Sequence, residues 1–190
     1  SVSAPVEKCF GDSVRVAIKI NTPAGLKITD YTCNWSNDAP TTGTMAAGAD
    51  SIIVYHVFSF AGNQSVTLFV RSGTPGTCFS DTVTVPVYIN RLPLPNYTIA
   101  PVSCAGEVVA FTDLSSSADG AINKWKWIFG NTLVSSLQNP STTYASPGTY
   151  TSSLQVESNK GCISTVLSKP VVVNYLPQPN FGTPEVCLTD

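Results

Sequence analysis

The chain has 190 residues, of which only 12% are charged, and ten Lys and Arg against twelve Asp and Glu leave a formal net charge of −2. That balance argues against nucleic acid as a partner, because phosphate contacts need clustered Lys and Arg. The 43% of apolar residues, set out in alternating runs, argues equally against disorder.

In chain order, the patterned stretches are rich in Val, Thr, Ser, Tyr and Phe, which is strand chemistry, and 13 Gly and 14 Pro punctuate them. Almost nothing reads as helix. In the first half the expected strands are 13–20, 28–35, 52–58, 66–71 and 81–90. In the second half they are 96–99, 107–112, 123–129, 142–144, 149–157 and 163–174. Residues 158–161 read as a hairpin turn and 115–120 as an exposed loop. Pro170 lies inside the last run, which places that strand at an edge or a bulge. Around 38–50 the first half carries about ten extra residues, rich in Thr, Gly and Ala, expected as a longer surface loop or an added hairpin.

The chain also repeats itself. Leu92-Pro93-Leu94-Pro95-Asn96-Tyr97 recurs as Leu176-Pro177-Gln178-Pro179-Asn180-Phe181, and each copy leads to a cysteine, Cys104 and Cys187. Ala4-Pro5-Val6-Glu7-Lys8-Cys9 carries the tail of the same pattern. The repeats divide the chain into 1–92, 93–176, and 177–190 as a linker and first strand of a truncated third copy. The reading is a piece of a longer tandem array, in which no single copy need carry chemistry. The expected fold class is all-β, with two immunoglobulin-like sandwiches in tandem, end to end.

Val109-Ala110-Phe111-Thr112-Asp113-Leu114-Ser115, Trp125-Lys126-Trp127-Ile128-Phe129-Gly130-Asn131, Gln138-Asn139-Pro140-Ser141-Thr142-Thr143-Tyr144 and Ser146-Pro147-Gly148-Thr149-Tyr150-Thr151 together resemble a PKD domain, the immunoglobulin-like module named after polycystin. The family's central motif reads Trp-Asp-Phe-Gly-Asp-Gly. Ile128 replaces its first Asp and Asn131-Thr132 its Asp-Gly, which weakens any carry-over of cation binding near that turn. The first repeat is a degenerate relative. Tyr31, Cys33 and Trp35 stand where Trp125, Trp127 and Phe129 stand, Phe58 replaces Tyr144, and Gln64 replaces Tyr150. These alternating residues share one strand face, expected as the inter-sheet core, with Cys33 a small apolar filler at a Trp position. Tyr150 is expected to be buried as a tyrosine corner.

Tandem PKD-like units with a cysteine at each end resemble large secreted surface proteins of gliding bacteria, including gliding-motility adhesins exported by the type IX system. That resemblance implies an extracellular, cell-surface location and a non-enzymatic adhesin or stalk role in attachment or gliding. The partners it implies are neighbouring repeats of the same chain, surface glycans or other cell-surface proteins. PKD units also occur as accessory modules of secreted hydrolases, which is the alternative reading.

No catalytic constellation accompanies His56, the only histidine, which reads as a strand-surface residue. No cofactor or metal is expected. Asp113 and Asp119 are the weak candidates for bracketing a cation, against the plainer role of loop acids. No apolar run reaches the length that spans a bilayer. Tyr88, Tyr97 and Tyr175 near the repeat junctions could stack on glycans or pack the junction. Ser13, Ser51 and Thr82 each follow an Asp and precede an apolar residue, resembling the O-glycosylation acceptor of gliding bacteria. Asn34, Asn63 and Asn96 begin Asn-x-Ser/Thr sequons.

Six cysteines point to an oxidising compartment. Two pairings stay open. Counting gives one bridge per repeat, Cys9–Cys78 and Cys104–Cys162. In an immunoglobulin-like sandwich those loops lie at opposite poles, about 20 Å apart, whereas a disulfide needs Cα atoms within about 7 Å. The favoured pairing therefore crosses repeats, Cys9–Cys162, leaving Cys78, Cys104 and Cys187 for neighbours.

Overall fold

The computed structural model describes residues 6–20, 27–46, 49, 51–72, 78–80, 82–101, 104–177 and 179. It is all-β, with no helix among those residues, and its strands form two immunoglobulin-like sandwiches. Cys187 lies outside the described residues. By compactness the chain forms two units. Unit 1 is Ser1–Leu94 with Ser115–Asn123 and Val156–Thr165, and unit 2 is Pro95–Leu114, Lys124–Gln155 and Val166–Asp190.

Unit 1 is built on β1 (Val6–Cys9), β2 (Val14–Lys19), β3 (Ile28–Trp35), β4 (Thr41–Thr44), β5 (Ser51–His56), β6 (Gly62–Ser72), β7 (Cys78–Phe79) and β8 (Val83–Asn90). The larger sheet has the order β1-β8-β6-β3-β4, with β7 on β6, and β2 pairs with β5 in a second sheet. Alternation decides what each face buries. Val14 and Val16 of β2 and Ile52 and Val54 of β5 point inward, against Cys33, Trp35, Val66, Leu68, Val87 and Ile89 of the larger sheet. The stretch after Trp35 that is rich in Thr, Gly and Ala forms β4, a hairpin partner of β3 with Cys33 opposite Thr41. Gly43 lies under the Tyr31 ring, where a Cβ would come within 2.5 Å of the hydroxyl oxygen.

Unit 2 is built on β9 (Tyr97–Ile99), β10 (Val108–Asp113), β11 (Ile122–Ile128), β12 (Val134–Ser135), β13 (Ser141–Thr143), β14 (Gly148–Ser158) and β15 (Leu167–Val173). The first residues of β11 and the last of β14 are counted with unit 1. The sheets are β13-β10-β9 and β12-β11-β14-β15. Between them lies an aromatic core. Trp127 touches Tyr97 at a ring separation of 5.0 Å and Phe111 at 5.6 Å, and Phe111 touches Phe129 at 5.0 Å. Burying Trp127 completely leaves its indole N–H to be satisfied, and it donates to the Leu137 carbonyl at 2.9 Å.

Several expectations change in detail. The run 163–174 is not one strand. Ile163 makes an isolated bridge to Glu157, and the regular strand begins at Leu167. The Ser164 N–H still donates to the Val156 carbonyl at 2.9 Å, but the Val156 N–H goes to the Ser164 hydroxyl at 3.0 Å, which donates to the Thr165 carbonyl at 2.7 Å, so a side chain takes one ladder bond. Pro170 sits in β15, the edge strand, where a missing N–H costs no ladder bond. Tyr97 is fully buried and its hydroxyl meets Ser152 at 2.9 Å. It is thus neither a glycan platform nor a junction residue, because β9 pairs with β10 and carries it inward.

Candidate functional site

Where the expected core residues fall depends on their distance from the sheet margin. Cys33, Trp35, Trp127 and Phe129 are buried. Trp125 shares the Trp127 face but is half-buried, near the end of that face, and its indole N–H donates to the Asp113 carboxylate at 2.7 Å. Tyr31 is half-buried. Tyr150 is also half-buried rather than enclosed, its ring 4.3 Å from that of Tyr144 and its hydroxyl donating to the Ser146 carbonyl four residues back. In unit 1 Gln64 does the same work from the matching position, donating to the Phe60 carbonyl, also four residues back.

The acids are committed to donors of the chain itself. Asp113 accepts from Trp125 and from Gln138. Asp119 accepts the Arg91 backbone N–H at 2.7 Å, both arms of its guanidinium at 3.0 and 3.1 Å, and the Tyr88 hydroxyl at 3.0 Å. Hydrogen bonds from Arg91 hold the Asp119 carboxyl down at about 2. Both Asp119 oxygens face cationic or hydroxyl donors, so Asp113 and Asp119 are each bonded to donors of the chain, as loop acids are. Among the described residues no group of three or more His, Cys, Asp or Glu could hold a metal ion.

One titratable cluster was not anticipated. The His56 Nε2 lies 2.9 Å from Asp38 Oδ2, and its ring stacks on Trp35 at 4.3 Å and meets Phe58 edge-on at 4.9 Å. Asp38 also accepts the Ser59 N–H at 3.1 Å, and the hydrogen bond from His56 leads in lowering its pKa. Reading β5 as a strand puts His56 on it, but its 18-residue separation from Asp38 hides the pair. The cluster ties the loop after β3 to the end of β5.

Cysteine chemistry is concentrated at one place. Cys9 and Cys162, 153 residues apart in sequence and both in unit 1, form a disulfide with Cα atoms 5.4 Å apart. Cys162 is fully buried. Lys160, two residues before it, pairs with Glu7 at 2.8 Å. With Cys9 and Cys162 joined, neither sulfur is left for the alternative pairs Cys9–Cys78 and Cys104–Cys162. Cys33 and Cys104 carry free thiols. Burial pushes the Cys33 thiol up to about 11, so it is a core filler and a poor nucleophile.

These strands, the aromatic core and Tyr150 lie in the stretch of the chain that one family model matches. Residues 90–173 match the PKD domain. The match takes in β9 to β15. It includes the segment Trp125–Asn131, in which Ile128 is exposed, so the acid it replaces would have faced outward. Asn131 takes over turn bonding, donating to the Thr143 carbonyl at 3.0 Å and accepting the Leu133 N–H at 3.3 Å. Among solved structures, the chain is similar to the PKD1 domain of Vibrio anguillarum Epp, with 29% identity, 46% of this chain and 99% of that chain covered, and a TM-score of 0.42. It is similar to the PKD1 domain of the Vibrio cholerae metalloprotease PrtV at 25% identity, with 44% and 98% covered and a TM-score of 0.40. The fibronectin(III)-like modules of Clostridium thermocellum CbhA align over 95% of this chain and 96% of that one, at 15% identity and a TM-score of 0.45. No curated protein matches. PKD domains are typically extracellular and non-catalytic modules, and the disulfide fits a secreted protein.

The acceptor candidates Ser13, Ser51 and Thr82 are exposed, each at or just before the start of a strand, β2, β5 and β8. Tyr175 is 82% exposed. On the outer face of β5, Ile53 and Tyr55 are exposed. The matching strand of unit 2, β13, shows Ser141 and Thr143 outward instead.

Proposed function

We propose that this segment is a non-enzymatic part of a long extracellular adhesin or stalk protein, acting at the cell surface in attachment or gliding. The observation that carries the reading is the Cys9–Cys162 disulfide, which ties the opening of the first sequence repeat to a residue of the second. Such a bond suits a chain that must stay folded outside the cell and under load. The PKD match over 90–173 supports the module class, and the repeated Leu-Pro-x-Pro-Asn motif supports an array. The proposed partners are neighbouring repeats together with surface glycans or other cell-surface proteins, for which exposed Tyr55 and Tyr175 offer aromatic faces. Ser13, Ser51 and Thr82 are proposed O-glycosylation positions.

Deleting the segment from the protein that carries it tests the reading. Loss of surface attachment or spreading, with no change in hydrolysis of any polymeric substrate, is the expected result. Unchanged attachment with slower breakdown of an insoluble polymer would replace the reading with that of a hydrolase accessory module.

A further inference from the structure

We propose that the outer face of the β2–β5 sheet in unit 1 is a binding site for a carboxylate-bearing polysaccharide. The inference rests on the reading of surface glycans as partners and names their class.

β2 and β5 form a two-stranded sheet whose inward residues, Val14, Val16, Ile52 and Val54, belong to the core. Alternation turns the residues between them outward. The antiparallel register sets these in three facing pairs, Arg15 opposite Tyr55, Ala17 opposite Ile53 and Lys19 opposite Ser51. All six are exposed, Tyr55 by 63% and Ile53 by 50%. A groove of about 370 Å³ runs over this face, with Arg15, Ala17, Lys19, Ser51 and Ile53 in its walls.

The charges of the face call for an anion. Its outward positions hold two cations and no acid, in a chain whose net charge is −2. Neither Arg15 nor Lys19 has an ion-pair partner among the described residues. The spacing calls for a polymer. Four positions along one strand set Arg15 and Lys19 about 13 Å apart, too far to grip one compact anion together, so the ligand repeats its charge along a chain. The surface between them calls for sugar rings. Ala17 and Ile53 make an apolar floor that runs to the Tyr55 ring, on which the C–H face of a sugar packs while its polar groups stay at the rim. Arg15, directly across from Tyr55, holds a planar fork of donors that matches a carboxylate on the stacked ring.

The fold does not require this set of residues. Unit 2 has the same inward pairing, Val109 opposite Thr142 where unit 1 has Val14 opposite His56. Its outward pairs are Ala110 opposite Ser141 and Val108 opposite Thr143, with neither a cation nor a ring.

The test is native affinity electrophoresis of the folded chain, produced unglycosylated because Ser51 borders the site. The gels contain polygalacturonate or the neutral glucan pullulan, at low and high salt. Retardation by polygalacturonate alone, fading as salt rises, is the expected result. Arg15→Gln, Lys19→Gln and Tyr55→Thr should each weaken it roughly fivefold, the measure of one charge-assisted or stacking contact. Lys126→Gln, at an exposed cation of β11, should leave it unchanged. Equal retardation by pullulan would overturn the proposal and leave standing the attachment reading, which the deletion tests separately. An equal loss in Lys126→Gln would reduce the effect to net charge and overturn it. Sedimentation with anionic lipid vesicles without retardation by polygalacturonate, or no retardation by either polymer, would overturn it as well.

Discussion

At the scale of single residues, two side chains carry most of the local argument. Trp127 is fully buried among Tyr97, Phe111 and Phe129, and truncating it leaves both a cavity and an orphaned carbonyl at Leu137. Trp127→Ala should cost roughly 3–5 kcal/mol in a denaturant melt, whereas Trp125→Ala, at a half-buried position, should cost distinctly less. A Trp127→Ala loss under about 1 kcal/mol would mean that the face is solvent-exposed. Asp119 gives a pH signature. Its carboxyl is held down at about 2, first by the side-chain hydrogen bonds from Arg91. A depressed folded-state value means that its contribution is complete above the unfolded value near 4 and is lost as pH falls from about 4 through about 2. Asp119→Asn should therefore lower stability at neutral pH and flatten the loss in that acid window. Parallel pH profiles of wild type and variant check this, and identical slopes would show that the ion pair is not formed.

At the scale of elements, the turn after β11 bears on how far sequence reading reaches. Thr132 has φ +71°, a left-handed conformation that a β-branched residue adopts only under strain. The family motif places Gly there, so Thr132→Gly should raise stability by about 1 kcal/mol. Gly130, φ +78°, has the Thr151 backbone 2.7 Å from where a Cβ would stand. Gly130→Val should destabilise unit 2 strongly, whereas Gly43→Val in β4 meets only the end of the Tyr31 side chain, which can swing aside. Thermal melts of the three variants check the order. The strand positions were legible because inward residues alternate, as Val14 and Val16 or Val109 and Phe111 show. The burial of Tyr97 was not, since its proline-rich neighbourhood reads as linker until β9 is paired with β10. Nor was the parallel pairing of β1 with β8, because a parallel pair has no turn to announce it. The Asp38–His56 pair stayed hidden because only the β3–β4 hairpin brings the loop back to β5.

At the scale of the whole molecule, the cysteines are the part of the site that sequence reasoning could narrow but not close. Counting and strand geometry gave opposite pairings, and only the positions of β1 and the residues after β14 decide between them. A bridge spanning 153 residues removes much unfolded-state freedom, worth about 5 kcal/mol in the loop-entropy account and commonly somewhat less in practice. Replacing both cysteines, Cys9→Ser with Cys162→Ser, should lower unfolding stability by ~2–5 kcal/mol with the β-rich circular dichroism retained under native conditions. The central claim, a chain stapled from the first repeat into the second, is tested most directly by peptide mapping of the folded, unreduced protein. The account predicts a linked peptide containing Cys9 and Cys162. A Cys104–Cys162 or Cys9–Cys78 peptide in its place would contradict it.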